Sequence, residues 1–368
     1  VRGAALIREE NVAEHGMVLK DQRRRPPAGT DVARLAGVSQ KTVSRVMNGE
    51  PLVSDVVRGR VRQAAEELGY RPNSAARALT SGRSYRIGFV SLGSGLHGPT
   101  ATLVATERAA KAQGYSLGIT STVEGDSAGI AGAIATMLDQ GVEGVVISEP
   151  IDQGPIDLRI DVPVLIFGYL PGLQAPHVIS VLNAGDRNAH DATAYLLSLG
   201  HQTVHHVAGA ASWYASRERI AGWRRALRER DARDVSPVHG DWTAASGFEA
   251  GRQLGRELGV TAIFAANDDM AVGVIKGLQA EGRSVPGDVS VMGFDDVPLA
   301  AYLTPTLSTV RYPFELGASR GIAALIEAIE HPEGSTPTIE EPLGELIIRE
   351  STVAPRPMSP GGGVTGGG

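Results

Sequence analysis

Gln40, Lys41, Thr42, Ser44 and Arg45 stand together on one short segment, interleaved with the apolar Val43 and Val46. Gln and Arg can each make paired hydrogen bonds to base edges, and Ser and Thr suit phosphate oxygens, so this set reads as DNA-contacting. Other residues invite other chemistry. Gly93, Gly95 and Gly98 spell G-x-G-x-x-G after an apolar run, and Glu124 could serve as a ribose-binding acid, the pattern of an NAD-dependent dehydrogenase. Against that reading, Pro99 follows the third glycine, Glu124 lies 26 residues beyond Gly98, and no catalytic set accompanies them. Asp268-Asp269 and Asp295-Asp296 could hold a cation, but no histidine is spaced to join them. His201, His205 and His206 surround a strand start, where alternation places neighbours on opposite faces, and read as ordinary surface or core residues. Ser94 lacks the G-x-S-x-G frame of an activated nucleophile. The sequence therefore predicts a protein that is not an enzyme and uses no metal or cofactor.

The polar set needs a scaffold, and three short helical patterns supply it. Thr30 is placed to cap a helix over 31–36 with Val32, Leu35 and Ala36 on its apolar face. Gly37-Val38-Ser39 forms a tight corner, Ser39 caps the segment bearing Val43, Val46 and Met47, and Asn48-Gly49-Glu50-Pro51 ends it. Ser54 caps a third helix through Val57, Val61, Ala64, Ala65 and Leu68, stopped by Gly69. Two helices about a glycine corner make a helix-turn-helix, with Gln40, Lys41, Thr42, Ser44 and Arg45 outward on the second.

Charge agrees with that division. Residues 1–86 hold 16 Lys and Arg against 9 Asp and Glu, whereas residues 87–368 hold 19 against 32. A basic head on an acidic body suggests that the head alone meets a polyanion. Of the 35 cations 31 are arginine, which fits a GC-rich coding bias as well as phosphate binding. Cysteine is absent, which excludes disulfides and thiolate sites, and no apolar run reaches the ~18 residues of a membrane span. Charged residues from Arg8 to Glu14 break any signal-peptide core, so the expected compartment is the cytoplasm. Met17, inside the N-terminal arm, is an alternative start.

From residue 87 onward short β-branched runs (87–92, 116–121, 144–148, 162–167, 203–207, 261–265, 289–293) alternate with helical stretches (100–113, 130–140, 217–230, 270–281). That alternation predicts doubly wound parallel sheets, and the length of the segment predicts two lobes. The expected order is a disordered arm (1–28), a helix-turn-helix domain (29–71), a linker (72–85), a two-lobed body (86–356) and a disordered Gly/Pro tail (357–368).

Residues 31–82, from Asp31-Val32-Ala33 through Tyr70-Arg71-Pro72-Asn73 to Leu79, resemble the LacI/GalR repressors. The resemblance continues over 86–356, carried by Leu96-His97-Gly98-Pro99, Ala221-Gly222-Trp223, Gly240-Asp241-Trp242, Ser246-Gly247-Phe248, Ala266-Asn267-Asp268 and Gly293-Phe294-Asp295-Asp296. It implies an all-α helix-turn-helix head on an α/β body of the periplasmic-binding-protein type, acting as a ligand-controlled repressor on near-palindromic operator DNA. By the same resemblance Thr30, Ser39, Gln40, Lys41, Thr42, Ser44, Arg45, Asn48, Asn73, Ala76 and Leu79 contact DNA. Residues 73–80 become a hinge helix whose Leu79 wedges into the minor groove, and an apolar wedge of that kind kinks a duplex. The implied effector is a small carbohydrate, with a galactoside as one reading. Arg219, Asn267 and Asp295 would bond its hydroxyls, Trp242 would face its ring, and Leu96, Pro99, Phe167 and Phe314 would form apolar wall. Gly168 stands where the resemblance leads one to expect a sugar-bonding aspartate. One helix-turn-helix reads too few base pairs alone, so a homodimer is expected, and Pro355–Gly368 offers no leucine heptads for a tetramer. The alternative is a sugar-binding protein without a DNA role.

Overall fold

The computed structural model describes residues 25–47, 49–71, 82–92, 95–122, 129–148, 151, 157–182, 184–340 and 343–356. The chain divides into two compact units, Val1–Gly82 and Arg83–Gly368.

The first unit holds α1 (Gly29–Ala36), α2 (Gln40–Met47) and α3 (Asp55–Leu68). Val32, Ala36, Val43, Val46, Val61 and Ala64 meet in its small core. Gly37 ends α1 at φ 64°, a left-handed conformation that costs glycine little, and the chain enters α2 three residues later. Ser39 caps α2 as expected, its Oγ accepting the Thr42 N–H at 3.1 Å. Three details depart from expectation. Thr30 lies inside α1 rather than capping it, because the Asp31 carboxylate reaches back to the Ala28 N–H at 2.9 Å and starts the helix earlier. Leu35 is 47 % exposed, and the smaller Ala33 takes the buried place beside Val32. The Ser54 side chain makes no capping bond to α3.

The second unit has two lobes. The first contains β1 (Arg86–Leu92), α4 (His97–Ala112), β2 (Ser116–Thr122), α5 (Gly129–Asp139), β3 (Gly144–Ile147), β4 (Leu158–Arg159), β5 (Val164–Phe167), β6 (Leu173–Gln174) and β7 (Val178–Leu182). The second contains α6 (Gly185–Ser198), β8 (His205–Ala208), α7 (Tyr214–Glu229), β9 (Val238–His239), α8 (Ala244–Gly255), β10 (Ala262–Ala265), α9 (Asp268–Ala280), β11 (Ser290–Met292) and β12 (Thr309–Arg311). The chain then returns to the first lobe as α10 (Phe314–Glu330) and β13 (Ile339–Glu340), and closes in the second as β14 (Glu345–Ile347), antiparallel to β12. Three segments thus cross between lobes.

The larger sheet runs β13-β7-β5-β3-β1-β2 and the smaller β11-β10-β8-β9, with every pairing parallel. Their central strands are fully buried runs such as Val164–Phe167 and Ala262–Ala265, as a sheet covered on both faces requires. Alternation along β1 sends Ile87 and Phe89 toward α4 and α10, and Val90 toward Ile130 and Ile134 of α5. In the second lobe Trp223 of α7 packs on Phe264, with its indole N–H donating to the Val204 carbonyl at 2.8 Å. The α8–α9 contact is made by backbone. A Cβ on Gly273 would lie 2.0 Å from the Ala244 carbonyl oxygen, and one on Gly247 would lie 2.2 Å from that of Met270. At the entrance to the body, Arg83 pairs with Glu143 at 2.9 Å, and the same carboxylate accepts the Tyr85 N–H at 2.9 Å.

Candidate functional site

On α2, Gln40, Lys41 and Ser44 are exposed, and Thr42 and Arg45 are half-buried, while Val43 and Val46 are buried against α1 and α3. Thr30 and Ser39 are exposed as well. The amphipathic turn therefore presents polar groups of the types that bond base edges and phosphates. Arg45 Nε stands 3.4 Å from a Glu50 carboxylate oxygen, an exposed pair that holds the guanidinium beside the helix. Asn48, Asn73, Ala76 and Leu79 lie outside the described residues, as does most of the expected hinge.

In the body, Leu96, Pro99, Phe167, Arg219, Trp242, Asn267, Asp295 and Phe314 all line one cavity. Each lobe supplies a wall. Leu96 precedes α4 and Pro99 lies in its first turn, Phe167 ends β5 and Phe314 begins α10, making the first lobe's wall largely apolar. The second lobe supplies Arg219 from α7, Trp242 from the turn before α8, Asn267 from the start of α9 and Asp295 from the turn after β11. Ligand sites at the carboxyl ends of parallel strands follow from this topology, because the loops there converge on the crevice.

The polar groups are held by the protein before any ligand arrives. Arg219 donates from Nη1 to the Ala266 carbonyl at 2.7 Å, stands 3.9 Å from Asp295, and stacks its guanidinium 3.8 Å above the Phe294 ring. Asn267 caps α9 by accepting the Met270 N–H at 2.9 Å and donates to the Trp242 carbonyl at 3.0 Å. It thereby fixes the loop that carries the indole. Trp242 has φ 74° and packs 5.3 Å from the Trp213 ring, with Gly209 beneath it; a Cβ on Gly209 would lie 2.2 Å from the indole. Asp295 also has a positive φ, 115°, and its N–H donates to the Val310 carbonyl at 2.9 Å. Such strain at a cavity wall is held by its surroundings and aims the side chain. Gly168, next to Phe167, has φ 118°, a conformation that disfavours any side chain there.

The remaining groups of interest resolve into structure. Asp268 is fully buried, accepts from Thr309 Oγ1 at 2.6 Å and the Val297 N–H at 2.8 Å, and is pushed up to about 8 by burial and by the Asp295 charge. Asp296 is clamped by Arg311 at 2.8 Å and Arg349 at 2.7 Å. Among the described residues no group of three His, Asp or Glu side chains could hold a metal. His201, His205 and His206 are all buried, and burial lowers the basicity of each, that of His206 to about 3. Gly98 belongs to the first turn of α4, which begins three residues before the expected helix start, and Pro99 follows it in that turn.

Sequence reasoning missed several lining residues: Gly98, Thr102, Gly185, Trp213, Ala215, Glu218 and Tyr312. Glu218 is the most informative of them. Burial raises its carboxyl to about 7, and Oε2 has no hydrogen-bond partner among the described residues; the same holds for Trp242 Nε1. Its neighbours Arg217 and Arg219 make it look like a solvated charge, and only its position one residue before Arg219 signals the cavity. With two carboxyls, a guanidinium, aromatic faces and buried polar atoms, the cavity suits a small hydroxyl-bearing molecule with an apolar face.

Residues 30–73 match the model of bacterial regulatory proteins of the lacI family, and residues 193–352 match that of the periplasmic binding protein-like domain. The lactose operon repressor of Escherichia coli (strain K12) is 31% identical over 331 residues, covering 88% of this chain and 90% of the relative. A crystal structure of the lac repressor dimer bound to operator and the anti-inducer ONPF superposes with a TM-score of 0.74 at 29% identity, over 90% of this chain and all of that one. A complex of the transcriptional regulator CelR with cellobiose gives 0.63 at 29% identity, over 89% of this chain and all of the other. Each is named as a repressor or regulator, and none as an enzyme. With a glycine-cornered helix pair in the head, a two-lobed parallel-sheet body later in the chain and relatives that share both, the chain belongs to the lacI family of bacterial regulatory proteins.

Proposed function

We infer that this protein is a transcriptional repressor that binds operator DNA through α2 and is controlled by a small carbohydrate in the body's cavity. The observation that carries the effector reading is the cavity itself. It joins hydroxyl-bonding groups on Arg219, Asn267 and Asp295 to the ring faces of Trp242 and Phe314. Leu96, Pro99 and Phe167 complete the apolar wall. The solved relatives described as complexes with operator and with cellobiose support both halves of the reading. Thr30, Ser39, Gln40, Lys41, Thr42, Ser44 and Arg45 form the DNA-facing set, joined by Asn48, Asn73, Ala76 and Leu79. Residues 29–71 act as the reading head, 72–85 as the linker and 86–356 as the sensor. Gly168 offers no carboxylate, so carbohydrate is a better description of the ligand than galactoside.

The protein acts as a homodimer, since one head reads too few base pairs for specificity. Among the described residues no helix is long and apolar enough to cross a membrane, and we place the protein in the cytoplasm, with DNA. A sugar lying between lobes favours one lobe arrangement only by its differential affinity for it. The test is operator selection from random duplexes, then fluorescence anisotropy on the selected site with and without a sugar panel. Release of the duplex by one sugar is expected. Failure to retain any duplex at low salt overturns the repressor reading, and retention indifferent to every sugar overturns the effector reading.

A further inference from the structure

Glu218 is a half-buried carboxyl on the cavity wall. It projects from α7 into the wall of the cavity, and Oε2 is sealed from solvent without a hydrogen-bond partner among the described residues. The groups around it are otherwise engaged. Asp186 is paired with Arg225 at 2.7 Å, and Arg219 is tied to the Ala266 carbonyl and stands beside Asp295. Gly185, across from it, leaves the space that the carboxyl fills, since a Cβ there would lie 2.9 Å from Oε2. A buried polar group left unbonded is costly, so a carboxyl retained in that state at a cavity wall points to a bond made when the cavity is filled, the carboxyl turning so that an oxygen reaches the ligand.

We propose that Glu218 is a specificity-determining residue of the effector cavity, bonding a hydroxyl of an uncharged sugar and excluding acidic or phosphorylated ones. The assignment rests on the cavity being the effector site. The charges that line it support the exclusion. Glu218 and Asp295 are carboxyls, and Arg219 is the single cation among the described lining residues. An anionic ligand meets two carboxyls and one guanidinium already engaged by the protein. A neutral polyol meets acceptors for its hydroxyls. With its carboxyl raised by burial to about 7, Glu218 is present in both forms at neutral pH and can accept from one hydroxyl or donate to another. Gly168 withholds a side chain from the first lobe, so Glu218 supplies a carboxyl from the second.

The test is calorimetric titration of the full-length protein with ribose, glucose, galactose and cellobiose, and with glucuronate, galacturonate and glucose 6-phosphate. At least one neutral sugar is expected to bind, and its acidic counterpart at least tenfold more weakly. The E218A variant is expected to lose tenfold or more in affinity for the neutral sugar. E218Q, which keeps the shape and bonding capacity, is expected to recover most of that loss while narrowing the discrimination against the acidic sugar. If the parent binds a neutral sugar and both variants keep its affinity and selectivity, the assignment of Glu218 fails and the cavity reading stands. A parent that prefers an acidic sugar also overturns it. If the parent binds none of the seven, the carbohydrate reading itself fails, and this inference with it.

Discussion

Replacing Glu218 by glutamine keeps the side chain's shape and removes its charge, which turns a binding hypothesis into a stability measurement. The parent's carboxyl titrates near its ordinary 4.5 in the unfolded chain and at about 7 in the folded one, chiefly because burial disfavours the charged form. The folded state therefore holds its proton more tightly, and the stability associated with that proton is lost as pH rises through about 7. At about 1.4 kcal/mol per pH unit of difference, the parent is penalised by about 1 kcal/mol at pH 5 and by about 3 kcal/mol at pH 9. The glutamine variant has no such penalty. Guanidinium unfolding of both proteins at pH 5, 7 and 9 should show the variant gaining about 2 kcal/mol on the parent across that range, with nearly all of the gain complete by pH 7. Parallel pH profiles for the two proteins would refute the reasoning, because they would mean that the carboxylate is solvated or partnered in the folded state.

Asp295→Ala is expected to bind operator like the parent but to lose tenfold or more in effector response; release by the sugar at the parent's concentration would remove Asp295 from the site. Arg45→Ala and Gln40→Ala should each alter which operator bases are tolerated, at about 1–3 kcal/mol per lost paired contact, measured by anisotropy on single-base operator variants. Equal loss on operator and random DNA would assign the side chain to phosphate instead. Gly273→Ala forces a methyl to within 2.0 Å of the Ala244 carbonyl and should destabilise the body by upwards of about 4 kcal/mol, read as a collapse in soluble yield or in the unfolding midpoint. Light scattering at micromolar concentration should report a dimer, and a tetramer would contradict the expected assembly.

The head was legible because its signals are local: a glycine at a left-handed corner, a serine cap, and apolar residues on one side of α2. The strands with continuous apolar runs, such as β5 and β10, were equally plain. Other elements hid behind composition. The segment forming α6 carries Asp186, Arg187, Asn188, His190 and Asp191 within its first two turns, and is not among the helical stretches the sequence suggests. The α8 segment is rich in glycine, which disfavours helix in isolation, and only its packing against α9 explains those glycines. Eight cavity-lining residues were named through resemblance to a family, five of them within its short motifs. Glu218 was not, since burial of a charge flanked by arginines is a property of the folded cavity and leaves no periodicity to read. Thr30 and Leu35 were misplaced by the same kind of local competition: the Asp31 carboxylate and the small Ala33 took the positions assigned to them.

The backbone contact between α8 and α9 also has a mechanical meaning. Two helices joined through side chains can slip by trading rotamers, but Gly247 and Gly273 leave no such layer between them. The pair behaves as a single plate, with Asn267 riding at the head of α9 and Trp242 just ahead of α8. Any displacement that a bound molecule imposes on the indole or the carboxamide must travel with the whole plate. Any give between the lobes must then come from outside this plate.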